Sequence, residues 1–161
     1  GAYLGYTELM NYIGKSYPDM KPLTIGDGLE FYHKEVVAGD MMSHLGIQNS
    51  LMKEYDSFVK WNVDAVSNPD VYRAGQNLLN FDPVNKTTTI KNNLTDGDLP
   101  TAMIIRDSFS TNIYGYLNNS FSEVYWQAMW DYKFDKNYIE KTNPDYYIIL
   151  VAERNIGNLL G

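Results

Sequence analysis

From Leu99 onward, short apolar runs alternate with stretches of helical spacing, and this alternation limits the fold more than any other feature of the chain. Residues 101–106, 123–129 and 146–152 have the length and the β-branched or aromatic content of strands, whereas residues 110–117 and 135–142 have helical character. A strand-helix-strand-helix-strand order calls for crossover connections between parallel strands, and so for an α/β architecture. Residues 102–105 and 146–152 are continuously apolar, the pattern of a parallel strand buried on both faces. The expected fold is therefore an α/β three-layer sandwich around a mainly parallel sheet.

The first of these strands ends in Ile104-Ile105-Arg106-Asp107-Ser108-Phe109, an apolar run that stops at a charged pair and a serine. In open α/β sheets, ligands gather at the carboxyl ends of the strands. A serine on the sharp turn from strand to helix can act as a nucleophile, with N–H groups of the following helix facing the charge that develops. Serine and aspartate are also ordinary helix caps, and the tripeptide alone leaves both readings open. The last strand also ends in polar residues, Glu153-Arg154-Asn155. Two neighbouring parallel strands that finish this way define one site, which argues for function more strongly than Ser108 alone.

The remainder of the chain reads as two further parts of one domain spanning residues 1–161. Residues 2–50 form a helical part, residues 51–98 a strand-rich insertion, and residues 99–161 the strand-helix repeats. Ala2, Tyr6, Leu9 and Ile13 fall on one helix face, which Gly14 ends. Gly26-Asp27-Gly28 is a turn, residues 29–37 are extended, and residues 41–45 form a short helix between Gly39-Asp40 and Gly46. Residues 58–63 and 86–90 have strand character.

Several functional classes are disfavoured by composition. The net charge of -7 and pI near 4.7 are not those of a nucleic-acid-binding surface. The sequence has no apolar run long enough to span a bilayer. Cysteine is absent, so disulfides and thiolate metal sites are excluded. No histidine-carboxylate cluster has ligand spacing, and Gly26-x-Gly28 fits neither dinucleotide nor P-loop patterns, so neither metal nor cofactor is expected. Fourteen tyrosines and three tryptophans suit sugar stacking and core packing alike.

Three local patterns are similar to the SGNH-hydrolase-like proteins of the alginate O-acetyltransferase type and to the related bacterial group known for a DHHW motif. The run 104–109 resembles the nucleophile block. Pro144-Asp145-Tyr146-Tyr147-Ile148-Ile149-Leu150-Val151-Ala152-Glu153-Arg154 resembles the final strand. Val37-Ala38-Gly39-Asp40-Met41-Met42-Ser43-His44-Leu45-Gly46-Ile47 resembles the short Gly-Asp helix between the catalytic blocks. The resemblance implies an SGNH-like sandwich with Ser108 as nucleophile and an Asp-x-His pair from an earlier segment, upstream of Gly1. The more familiar form of the nucleophile block is Gly-Asp-Ser, from which Arg106 departs. His33 and His44 are the resident alternatives for a base, His44 with Asp40 one helical turn before it, although each also reads as a surface or packing residue.

Around Ser108, Arg106, Asp107, Tyr114, Glu153 and Arg154 are expected to support the turn or bind substrate. Asp107 would cap the turn. Tyr114 would serve an oxyanion, stack on a sugar or pack in the core. Glu153 and Arg154 would pair with each other or with Arg106 and Asp107, since buried charges need partners. The function implied is acyl-ester chemistry, as O-acetyltransferase or acetylesterase, on an extracellular or cell-wall polysaccharide. Its partners would be that polysaccharide, an acetyl donor and the upstream segment, in an extracytoplasmic location. The competing readings are a non-catalytic carbohydrate-binding or scaffold domain, and an unrelated flavodoxin-like domain in which Ser108 is only a cap.

Overall fold

The computed structural model describes residues 1–37, 53–61, 81–82, 84, 86–91, 99–130 and 136–159. It divides into two compact units: Gly1–Pro22 with Asp64–Gly161, and Leu23–Val63. The short helix expected at 41–45, with His44, lies outside the described residues.

The smaller unit contains an antiparallel pair, β1 (Leu29–Val37) and β2 (Lys53–Trp61), in register from Leu29 opposite Trp61 to Val37 opposite Lys53. The preceding turn needs glycine at one position. Gly26 has φ +101°, in the region where a Cβ is strained, and its N–H donates to Leu29 O at 2.8 Å. His33 stands on β1, its Nδ1 3.1 Å from Ser57 Oγ on β2.

The larger unit begins with α1 (Ala2–Ile13), which buries Tyr6, Met10 and Ile13. The buried stripe runs through Met10 in place of the expected Leu9, since i, i+4, i+7 spacing from Tyr6 selects positions 10 and 13. The helix ends at Gly14. A Cβ there would lie 2.9 Å from Met20 O, so the return of the chain over the helix end requires glycine.

The five-stranded sheet of this unit has the order β3 (Phe81–Asp82), β4 (Thr87–Lys91), β6 (Glu123–Ala128), β5 (Thr101–Arg106), β7 (Tyr146–Leu150). Strands β6, β5 and β7 are parallel, and β4 and β3 extend the sheet antiparallel. Strand β4 of the strand-rich middle is thus hydrogen-bonded directly to β6. The architecture is mixed α/β with a parallel core, as the strand-helix alternation implies.

Central β5 is continuously apolar because it is flanked on both edges, and 102–105 are all buried. The last strand differs from expectation. It is shorter, ending at Leu150, and it borders the sheet with only alternate residues shielded; Ile149 is 56% exposed. A continuous apolar run is equally compatible with a central strand and with an edge strand whose outer positions are apolar.

Register between β5 and β7 is clamped at their amino ends. Asp145 Oδ2 accepts from Thr101 N (2.8 Å) and Thr101 Oγ1 (3.0 Å), and Asp145 N donates back to Thr101 Oγ1. Between β5 and β6 the chain runs through a 3-10 segment (Ser108–Ile113) and α2 (Tyr114–Asn118). Helix α1 packs against α2: the Tyr6 and Tyr116 rings stack at 5.0 Å, and Tyr6 Oη lies 2.7 Å from Ser120 Oγ. Helix α3 (Lys136–Thr142) precedes β7, and α4 (Ile156–Leu159) follows a second 3-10 turn, Glu153–Asn155.

Candidate active site at the carboxyl ends of two parallel strands

Parallel pairing of β5 and β7 puts their carboxyl ends on one edge, so Ser108 and Glu153 follow neighbouring strands at the same side of the sheet. Asp107 joins them. The residue is 2% exposed. Its Oδ1 accepts from Phe109 N at 2.9 Å, and its Oδ2 accepts from Ala152 N at 2.7 Å and Asn155 Nδ2 at 2.8 Å. One carboxylate thus caps its own turn and ties down the turn after β7. Burial alone would raise its pKa. The donors Ala152 N–H, Asn155 amide and Phe109 N–H, with the charge of Arg154, outweigh burial and hold the carboxyl below its ordinary value.

The turn after Asp107 is tight because its side chains bond back to the chain. Ser110 Oγ donates to Asp107 O (2.7 Å) and Thr111 Oγ1 to Ser108 O (2.8 Å). Such i to i−3 bonds favour short 3-10 turns over a regular helix, which is why helical structure starts at Ser108 and becomes α only at Tyr114. Ser108 itself is exposed, and among the described residues no side chain hydrogen-bonds its hydroxyl. The N–H groups of Phe109 and Ser110 are both committed to Asp107. These two N–H groups of the turn are thus engaged within it.

Among the described residues no direct ion pair joins Glu153 or Arg154 to Arg106 or Asp107; neutral N–H donors contact Asp107, and the charge of Arg154 acts on it without a direct ion pair. Glu153 is exposed on the second 3-10 turn. Arg154 turns to Phe109, with Cζ 4.7 Å from the ring centroid.

Arg106 ends β5. Its guanidinium Cζ lies 5.3 Å from the Tyr114 ring centroid and 5.4 Å from that of Trp130, and its buried Nε has no hydrogen-bond partner. Tyr114 is a core aromatic, its ring 4.2 Å from that of Trp126. Trp126 is in turn fixed by its Nε1–H donating to Asn118 Oδ1 at 2.7 Å. Burial raises the phenol pKa of Tyr114 above its ordinary value, against the opposing pull of the Arg106 charge and of Ser110. The proton of Ser110 goes to Asp107 O, and the buried phenol oxygen has no partner in hydrogen-bond geometry.

Asn155, Phe109 and Trp130 belong to this edge and were not singled out by their sequence. Asn155 carried the one available signal: it completes the polar triplet after β7. Among the described residues no three metal-ligating side chains converge, and no helix is long and apolar enough to cross a membrane.

No family model matches the chain, and no curated protein matches it. Solved structures do resemble it. A DHHW family protein from Eubacterium siraeum DSM 15702 superposes with a TM-score of 0.60 at 11% identity, over 97% of this chain and 59% of that one. Bacillus cereus PatB1 with a sulfonyl adduct gives a TM-score of 0.57 at 18% identity, over 97% of this chain and 58% of that one. A second PatB1 structure gives 0.54 at 20% identity, over 96% and 59%. The chain therefore spans less than two thirds of the length of these structures, and at such identities the similarity is one of fold: this chain shares an architecture with DHHW and PatB1 proteins.

Proposed function

We propose that Ser108 is the nucleophile of an acyl-ester reaction, O-acetyl transfer or acetyl-ester hydrolysis, on an extracytoplasmic polysaccharide. The observation that carries this reading is the Asp107 clamp, which holds an exposed serine on a rigid turn at the carboxyl end of the central strand. The fold likeness to a protein with a sulfonyl adduct supports it, because sulfonylation is a chemistry of activated nucleophiles. An SGNH-like three-layer sandwich, with the Asp-x-His pair contributed by a preceding segment, completes the reading.

In the first half-reaction Ser108 Oγ attacks the carbonyl carbon of the acetyl donor. Its proton passes to the histidine of the preceding segment, and the donor's alcohol leaves with that proton. In the second half, a sugar hydroxyl or water attacks the serine ester and frees Ser108. The role of Asp107 here is structural: all its described bonds position the turn.

The second reading is a carbohydrate-binding or scaffold domain without chemistry. Two observations favour it: no described side chain bonds the Ser108 hydroxyl, and Phe109 N–H and Ser110 N–H are already committed. Hydrolysis of p-nitrophenyl acetate separates the two. The parent protein extended by the Asp-x-His segment should be active, and this chain alone should be slower by about 10⁴-fold. Equal rates with and without the extension would favour the second reading.

A further inference from the structure

Among the described residues at this edge, Arg106 is a partly buried charged side chain without a charged partner. Asp107 accepts three hydrogen bonds, and Arg154 rests on Phe109. Arg106, in contrast, has no carboxylate partner among the described residues. Among the described residues its guanidinium packs on the faces of Tyr114 and Trp130, and its buried Nε has no acceptor there. A buried N–H with no acceptor is unfavourable and calls for an explanation. The buried Tyr114 hydroxyl, influenced by Ser110 but with no partner in full hydrogen-bond geometry among the described residues, belongs to the same cluster. Arg106 is only partly buried although its Nε is covered, and the neighbouring Trp130 leaves 63% of its surface exposed, so a bound molecule reaches the outer rim of the guanidinium beside an open indole.

We propose that Arg106 is a specificity-determining residue of the Ser108 site and takes an oxyanion carried on the ligand, with Trp130 as an adjoining stacking surface. The inference rests on the reading of Ser108 as the reactive group. Two residues of chain span at most about 7 Å, so Arg106 is close enough to Ser108 for one ligand to engage both. Aromatic faces on the guanidinium direct acceptors to its rim, where the planar fork offers paired N–H donors to two oxygens of a carboxylate or a phosphate. On a chain of net charge -7, an arginine with no carboxylate partner among the described residues gives the site a local positive field that the protein as a whole lacks.

The test is calorimetric titration of the whole chain at low salt with trigalacturonate, galactotriose and galactose 6-phosphate. One charged sugar should bind about ten-fold more tightly than neutral galactotriose, and whichever does so identifies the anion as carboxylate or phosphate. Arg106→Gln should abolish the preference, and Arg106→Lys, which keeps the charge without the fork, should retain part of it. No preference in the wild-type chain, or the same preference in all three forms, would overturn the proposal. Titration needs no turnover, so a failed acyl reaction and a failed anion preference are read separately.

Discussion

The Asn155 amide donates to the Asp107 carboxylate at 2.8 Å across 48 positions of sequence, closing the carboxyl ends of two parallel strands. The same two strands are closed at their amino ends by Asp145 and Thr101. One aspartate at each end thus fixes the β5–β7 pair, and the candidate nucleophile adjoins the buried one.

Asp107→Ala should lower stability by about 2–4 kcal/mol, because it leaves three donors without their charged acceptor. Urea unfolding measures this. Asn155→Ala, which removes one donor, should cost about 1–2 kcal/mol.

Acid should act through the same carboxylate. Asp107 has a pKa below its unfolded value, so its contribution is fully present above the ordinary carboxylate range, near about 4. It is lost as pH falls below that range through the folded-state value. Asp107→Asn should therefore flatten the acid side of the stability profile, measured as Tm from neutral pH down to about 2. An unchanged acid slope would show that other carboxylates dominate.

Tyr114→Phe should be neutral or stabilising, by up to about 1 kcal/mol, because it removes a buried hydroxyl without a partner. Activity of the extended protein should stay within about three-fold of wild type. A loss of roughly 10- to 1000-fold would instead assign the phenol to the oxyanion.

Gly14→Ala should destabilise by about 1–3 kcal/mol, since the new Cβ meets a backbone oxygen at 2.9 Å. A thermal melt of the variant reads this directly. An unchanged Tm would mean that the Met20 segment yields.

Central β5 was legible in the sequence because burial on both faces and edges writes an unbroken apolar run. The edge position of β7 was not, because Tyr147 and Ile149 are apolar although half or more of Ile149 is in solvent. Ser108 was legible as a turn residue, but the 3-10 geometry depends on where the Ser110 and Thr111 hydroxyls bond. The cap that Asp107 makes on its own turn was legible, and Phe109 N–H donates to it as expected; its reach to Ala152 N–H and the Asn155 amide was not, because tertiary placement makes those bonds and no local pattern encodes them. His33 sits with Ser57 on the hairpin of the smaller unit, a pairing that depends on strand register.

The most direct test of the central claim is covalent trapping by a sulfonyl fluoride, followed by peptide mass mapping, on the chain extended by the proposed Asp-x-His segment. The account predicts a single adduct on Ser108, absent from Ser108→Ala. An adduct on another residue, or equal labelling of Ser108→Ala, would contradict it.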